Sequence, residues 1–77
     1  MYFNINYRSS SAVQAITVNP ISGEAIVSFK NGLTYSYERV NRLAILNLMA
    51  NDNMSLGFWV NENCLSCDSN AVAYAVA

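Results

Sequence analysis

The sequence predicts an α+β domain: a small antiparallel sheet, with a β-β-β-α-β core and further strands at the termini, and one helix packed on a face. Three observations predict it. Runs of apolar alternation with period two recur between Met1 and Glu38, separated by turn residues. The stretch Asn41 to Ala50 instead carries helix formers behind an Asn that can cap them. The chain has 77 residues, 53% of them hydrophobic, which reads as one domain over 1–77 with few core residues to spare.

The elements follow in order. Met1 to Tyr7 alternates, with Met1, Phe3, Ile5 and Tyr7 on one side, and is a candidate strand that Arg8-Ser9-Ser10-Ser11 breaks. Val13 to Val18 is the second strand, closed by Asn19-Pro20 and the turn residues Ser22-Gly23. Glu24 to Lys30 and Leu33 to Glu38 are the third and fourth. Their register can be argued from parity. A two-residue Asn31-Gly32 hairpin would set Phe29 against Thr34 and Val27 against Ser36, apolar against polar. A three-residue loop, Lys30-Asn31-Gly32, sets Phe29, Val27 and Ala25 against Leu33, Tyr35 and Tyr37, with Gly32 in the left-handed position. The three-residue loop is therefore expected.

Asn41 is the expected N-cap of the helix, with Val40 and Ile45 as a hydrophobic staple and Asn51 as a left-handed C-cap. Two apolar stripes run along it: Leu43, Leu46 and Ala50, and Ile45, Leu48 and Met49. One packs on the sheet; the other is covered by a second subunit or by the terminal segments. Met54 to Asn61, with Phe58-Trp59-Val60, reads as a short strand. The tail from Ala71 to Ala77 alternates, with Val72, Tyr74 and Val76 opposite alanines, as a strand or a short helix. The expected core is Val13, Ile16, Val18, Val27, Phe29, Tyr35, Leu43, Leu46 and Trp59.

Composition narrows the function. Four basic and five acidic residues give a net charge of −1, which makes no basic footprint for a phosphate backbone. Charged residues are 12% of the chain, against about 25% in an average domain. So little charge over so much apolar content makes a homo-oligomer the expected state. There is no His, the commonest acid–base group near neutral pH. No apolar run approaches the roughly 20 residues of a membrane span, and no secretory signal is visible. Two cysteines are no secreted disulfide framework, so a cytoplasmic location is expected.

From Ser10 to about Leu65 the sequence resembles the KTSC domain, a module found at the end of some lysyl-tRNA synthetases and as stand-alone small proteins. The resemblance runs through Ser10-Ser11-Ala12-Val13, Asn19-Pro20 where the family has Asp-Pro, and the alternating Ala25, Val27 and Phe29. It continues through Gly32, the Tyr35-x-Tyr37 pair, Val40, Ser55-Leu56-Gly57 and Trp59-Val60-Asn61. Asn41 stands where the family has Pro, and Glu62 and Asp68 stand where it carries basic residues. What the resemblance implies is a module of unestablished function for which RNA binding has been suggested; the missing basic residues count against that here.

The candidate ligand or interface residues are Tyr35, Tyr37, Arg39, Trp59 and Asn61. The tyrosines could stack exposed bases, or pack beneath the helix. Trp59 reads as a core anchor. Cys64-Leu-Ser-Cys67 has CxxC spacing, but two thiolates are half of a four-ligand zinc site, which only a symmetric dimer could complete. Two reduced structural thiols are the plainer reading. The serines have no base beside them, and no glycine-rich phosphate loop is present. The expectation is no enzyme, no cofactor and no identified small-molecule substrate. The chain reads as a non-enzymatic, self-assembling interaction module, with RNA binding and a metal-bridged dimer as alternatives.

Overall fold

A computed structural model describes residues 1–5, 12–51, 53–66 and 70–76. Among these residues, five strands form one antiparallel sheet in sequence order: β1 Phe3–Asn4, β2 Val13–Asn19, β3 Glu24–Phe29, β4 Thr34–Glu38 and β5 Val72–Val76. Between β4 and β5 come α1, Arg42–Ala50, then α2, Leu56–Val60, which runs into a π-helical turn at Asn61–Leu65. The α+β class is as expected. The expectations for Asn6 to Ser11, Asp52 and Cys67 to Ser69 lie outside the described residues.

The β3–β4 hairpin follows the parity argument. Ala25 faces Tyr37 and Val27 faces Tyr35, across the loop Lys30-Asn31-Gly32. The Phe29 N–H donates to the Leu33 carbonyl at 2.8 Å, the Gly32 N–H returns to the Phe29 carbonyl at 3.1 Å, and Gly32 sits at φ +93°. A one-residue slip would have turned Tyr37 out of the core, and burial of that ring is what the register secures. At the β2–β3 corner, Asn19 Oδ1 accepts from the N–H groups of Ile21 and Ser22 at 3.0 and 3.2 Å. That Asx turn satisfies a side chain that is buried.

One face of the sheet is apolar: Ile16 and Val18 of β2, Ala25 and Val27 of β3 and Tyr37 of β4 are buried there. Ile45 and Leu48 of α1, Leu56, Trp59 and Val60 of α2, and Cys64 of the turn join them in one cluster. Phe29 and Tyr35 are partly buried against it.

Three expectations are corrected. Met54 to Asn61 is not a strand, and the chain has more than the single expected helix. Ser55 caps α2, its Oγ accepting from the Phe58 N–H at 3.3 Å. The buried positions Leu56, Trp59, Val60 and Cys64 follow helical spacing, which lays one continuous face on the core. Second, α1 buries the stripe of Ile45 and Leu48, while Leu43 is 71% and Leu46 48% exposed, so neither belongs to the core. The cap itself is as expected: Asn41 Oδ1 accepts from the Leu43 and Ala44 N–H groups at 2.9 and 3.2 Å. Third, Asn51 closes the helix in an extended conformation, φ −115°, rather than left-handed, with its N–H and Nδ2 both donating to the Asn47 carbonyl. The tail takes the strand alternative as β5.

Candidate functional site

The five residues singled out from the sequence do not converge. Tyr37 is 3% exposed on the covered face, its ring centroid 6.2 Å from that of Tyr35, and Tyr35 in turn meets Phe29 edge-on at 6.2 Å and 76°. This is an aromatic row packed across β3 and β4. A base could not stack on the Tyr37 face without displacing the helical layer. Trp59 is buried at the centre of that layer, and its Nε1–H donates to the Ala44 carbonyl at 2.8 Å, which ties α2 to α1. Asn61 is exposed and uses its backbone N–H toward the carbonyls of Gly57 and Phe58, at the step from α-helical to π-helical winding.

Arg39 lies apart from these. It holds a left-handed backbone, φ +62°, unusual for a residue with a side chain. The next residue explains it: the Val40 N–H donates to the Gly23 carbonyl at 2.9 Å, so the chain must turn sharply after β4. Gly23 is required at this meeting point, since it sits at φ +77° and an added Cβ would stand 3.0 Å from the Val40 carbonyl oxygen. The turn opens a cleft of about 380 Å³ lined by Ser22, Gly23, Arg39, Val40, Asn41, Arg42 and Leu43. The sequence makes no basic footprint, and Arg39 and Arg42 are two of its four basic residues. Bringing both to one cleft depends on the Gly23–Val40 contact, for which the sequence carries no signal.

Cys64 is buried beside the sheet, and burial pushes its thiol from an ordinary 9.0 up to about 12. Burial also raises Tyr37, with the nearby Cys64 and Tyr35 adding to it. A thiol held neutral at pH 7 is a poor nucleophile and a poor metal ligand. Among the described residues no group of three or more His, Cys, Asp or Glu is placed to hold a metal; Cys67 lies outside them. Glu24 accepts from Tyr2 Oη and Ser22 Oγ, both at 2.9 Å. The Tyr2 hydroxyl is raised by that bond to the carboxylate.

The buried acids predict alkaline behaviour with a definite sign. Below pH 9 the Cys64 thiol is protonated in both native and unfolded chains and stability is unaffected. Between 9.0 and about 12 the unfolded thiol ionises while the native one does not, so stability falls as pH rises. Tyr37, held above its ordinary 10.0 by burial, acts in the same direction once the pH passes about 10. Urea midpoints at a series of pH values from 8 to 11 should decline, and Cys64→Ala should decline less steeply.

Compared with protein-family models, with curated proteins and with solved structures, the chain matches none of them. Among the described residues no helix is long and apolar enough to cross a membrane.

Proposed function

We propose that this chain is a KTSC-like, non-enzymatic interaction module that assembles with copies of itself. The observation that carries the reading is the apolar surface the fold leaves bare. Leu43 and Leu46 form an exposed stripe on α1, Phe58 of α2 is 60% exposed, and all five residues of β5 are exposed. The described terminal strands lie at the two edges of the sheet and do not cover the α1 stripe. Exposed apolar side chains, where they cluster, mark interaction sites on proteins.

The residues that carry the KTSC resemblance support a non-catalytic role, because their work is structural. Gly32 takes the left-handed turn, Asn19 caps its own turn, Val40 and Tyr37 are buried, Ser55 caps α2 and Trp59 anchors it. The test is solution mass by size-exclusion chromatography with light scattering. A multiple of the 8.5 kDa chain mass is expected, and a monomer at all accessible concentrations would overturn the reading.

RNA binding is the second reading, favoured by the cleft that brings Arg39 and Arg42 together. Phosphate contact there would be electrostatic and without base stacking by Tyr37. Titration with labelled single-stranded RNA at about 50 mM salt should then give a signal that salt abolishes. Absence of binding at tens of micromolar would retire it.

A further inference from the structure

The two edges of the sheet are unlike. β1 has two residues, and the preceding Tyr2 is tied down by its bond to Glu24. β5 has five, Val72-Ala73-Tyr74-Ala75-Val76, without a charge, a proline or a bulge. Short length, charge, proline and bulges are the devices by which proteins blunt an edge, and β5 carries none of them. It is bare on three sides. Its residues are exposed on both faces of the sheet, and among the described residues no strand flanks it beyond β4.

The direction of its free backbone groups can be worked out from the ladder. The Phe29 N–H donates to the Leu33 carbonyl where the β3–β4 ladder opens, so Val27–Tyr35 and Ala25–Tyr37 are hydrogen-bonded pairs. Thr34, Ser36 and Glu38 therefore turn their backbone groups toward β5, where they meet Val76, Tyr74 and Val72. The bond from the Ile5 N–H to the Ile16 carbonyl gives the same parity from the other edge. It follows that Ala73 and Ala75 point their N–H and C=O groups outward.

The sequence around this edge reads the same in both directions: Ala71-Val72-Ala73-Tyr74-Ala75-Val76-Ala77. Two antiparallel copies related by a two-fold axis beside Tyr74 would pair Ala73 with Ala75, and Val72 with Val76. Tyr74 would meet Tyr74 of the second copy. Like thus meets like at every position. About four backbone hydrogen bonds form, and the Tyr74 pair falls at a non-hydrogen-bonded position, where opposed side chains come closest. Val72, Tyr74 and Val76 of both copies share the face away from the helices. Ala73 and Ala75 share the face of Tyr35 and Tyr37, where their small side chains leave the approach open.

We infer that the occupant of the β5 edge is β5 of a second copy of this chain, joined antiparallel about Tyr74 into one continuous sheet. This rests on the self-assembly reading above and gives it a specific interface.

Only at a two-fold centre does a residue meet itself, and that dictates the experiment. In the full chain, Tyr74→Lys and Tyr74→Glu are each expected to weaken self-association roughly tenfold or more, through like charges directly opposed and a lost aromatic pair. A one-to-one mixture of the two should regain the parent mass, because Lys then faces Glu. That recovery also excludes misfolding as the cause of dissociation. Ala75→Pro provides a second variant, since it removes an outward N–H while leaving the bonds to β4 in place, and it should dissociate as well. An oligomeric parent whose mass all three variants preserve would overturn this interface and leave self-assembly standing. Dissociation by each Tyr74 variant without recovery in the mixture would overturn the two-fold pairing. A monomeric parent would overturn the underlying reading itself.

Discussion

Trp59→Ala is expected to remove most of the domain's stability and to shift its urea midpoint far below the parent's. Trp59 is 2% exposed, lies among Ile45, Leu48 and the sheet residues of the core cluster, and holds α1 through the Ala44 carbonyl. Truncating a buried Trp costs about 3–5 kcal/mol from lost burial and the cavity left behind. A domain of this size has only about 5 kcal/mol in total. Trp59→Phe keeps much of the ring but loses the donor, and should cost about 1–2 kcal/mol while staying folded. Urea denaturation followed by far-UV circular dichroism separates the three proteins. A Trp59→Ala midpoint equal to the parent's would show that α2 does not pin the helical layer.

The second large effect is a contrast within α1. Leu48→Ala should cost about 2–5 kcal/mol, because Leu48 is fully buried against the sheet. Leu43→Ala, five residues earlier on the same helix, should fall within about 0.5 kcal/mol of the parent, because that side chain stands mostly in water. The comparison is made at a single protein concentration, since association raises apparent stability by mass action. A larger loss for Leu43→Ala than for Leu48→Ala would mean that α1 presents its other stripe to the sheet.

That contrast marks where reading the sequence stops. The two stripes of α1 have nearly the same apolar content, so composition could not rank them. The ranking comes from tertiary contacts: Val40 is buried at the helix entry, and the Trp59 donor reaches Ala44 from α2. The 54–61 segment failed for a different reason. Phe58-Trp59-Val60 is bulky and short, which suits a strand. The helical signal was nonetheless present in the longer spacing of Leu56, Trp59, Val60 and Cys64, together with a serine cap. A window that stopped at Asn61 left out Cys64, the position that extends the face.

The sequence by itself determined the local chemistry of this protein. Asn41 as a cap, the Asn19-Pro20 turn and the three-residue hairpin loop each follow from a side chain or a glycine acting on its own backbone neighbours, within reach of short-range rules. The register of β3 on β4 followed as well, because alternation admits one pairing that buries Val27 with Tyr35 and Ala25 with Tyr37. The tertiary structure alone decided which stripe of α1 is wet, that Arg39 and Arg42 share a cleft, and that Ala73 and Ala75 turn their backbone outward. Each of these depends on residues distant in the chain: α2 against α1, Gly23 against Val40, and a hydrogen-bond parity carried across the strands from one edge of the sheet to the other.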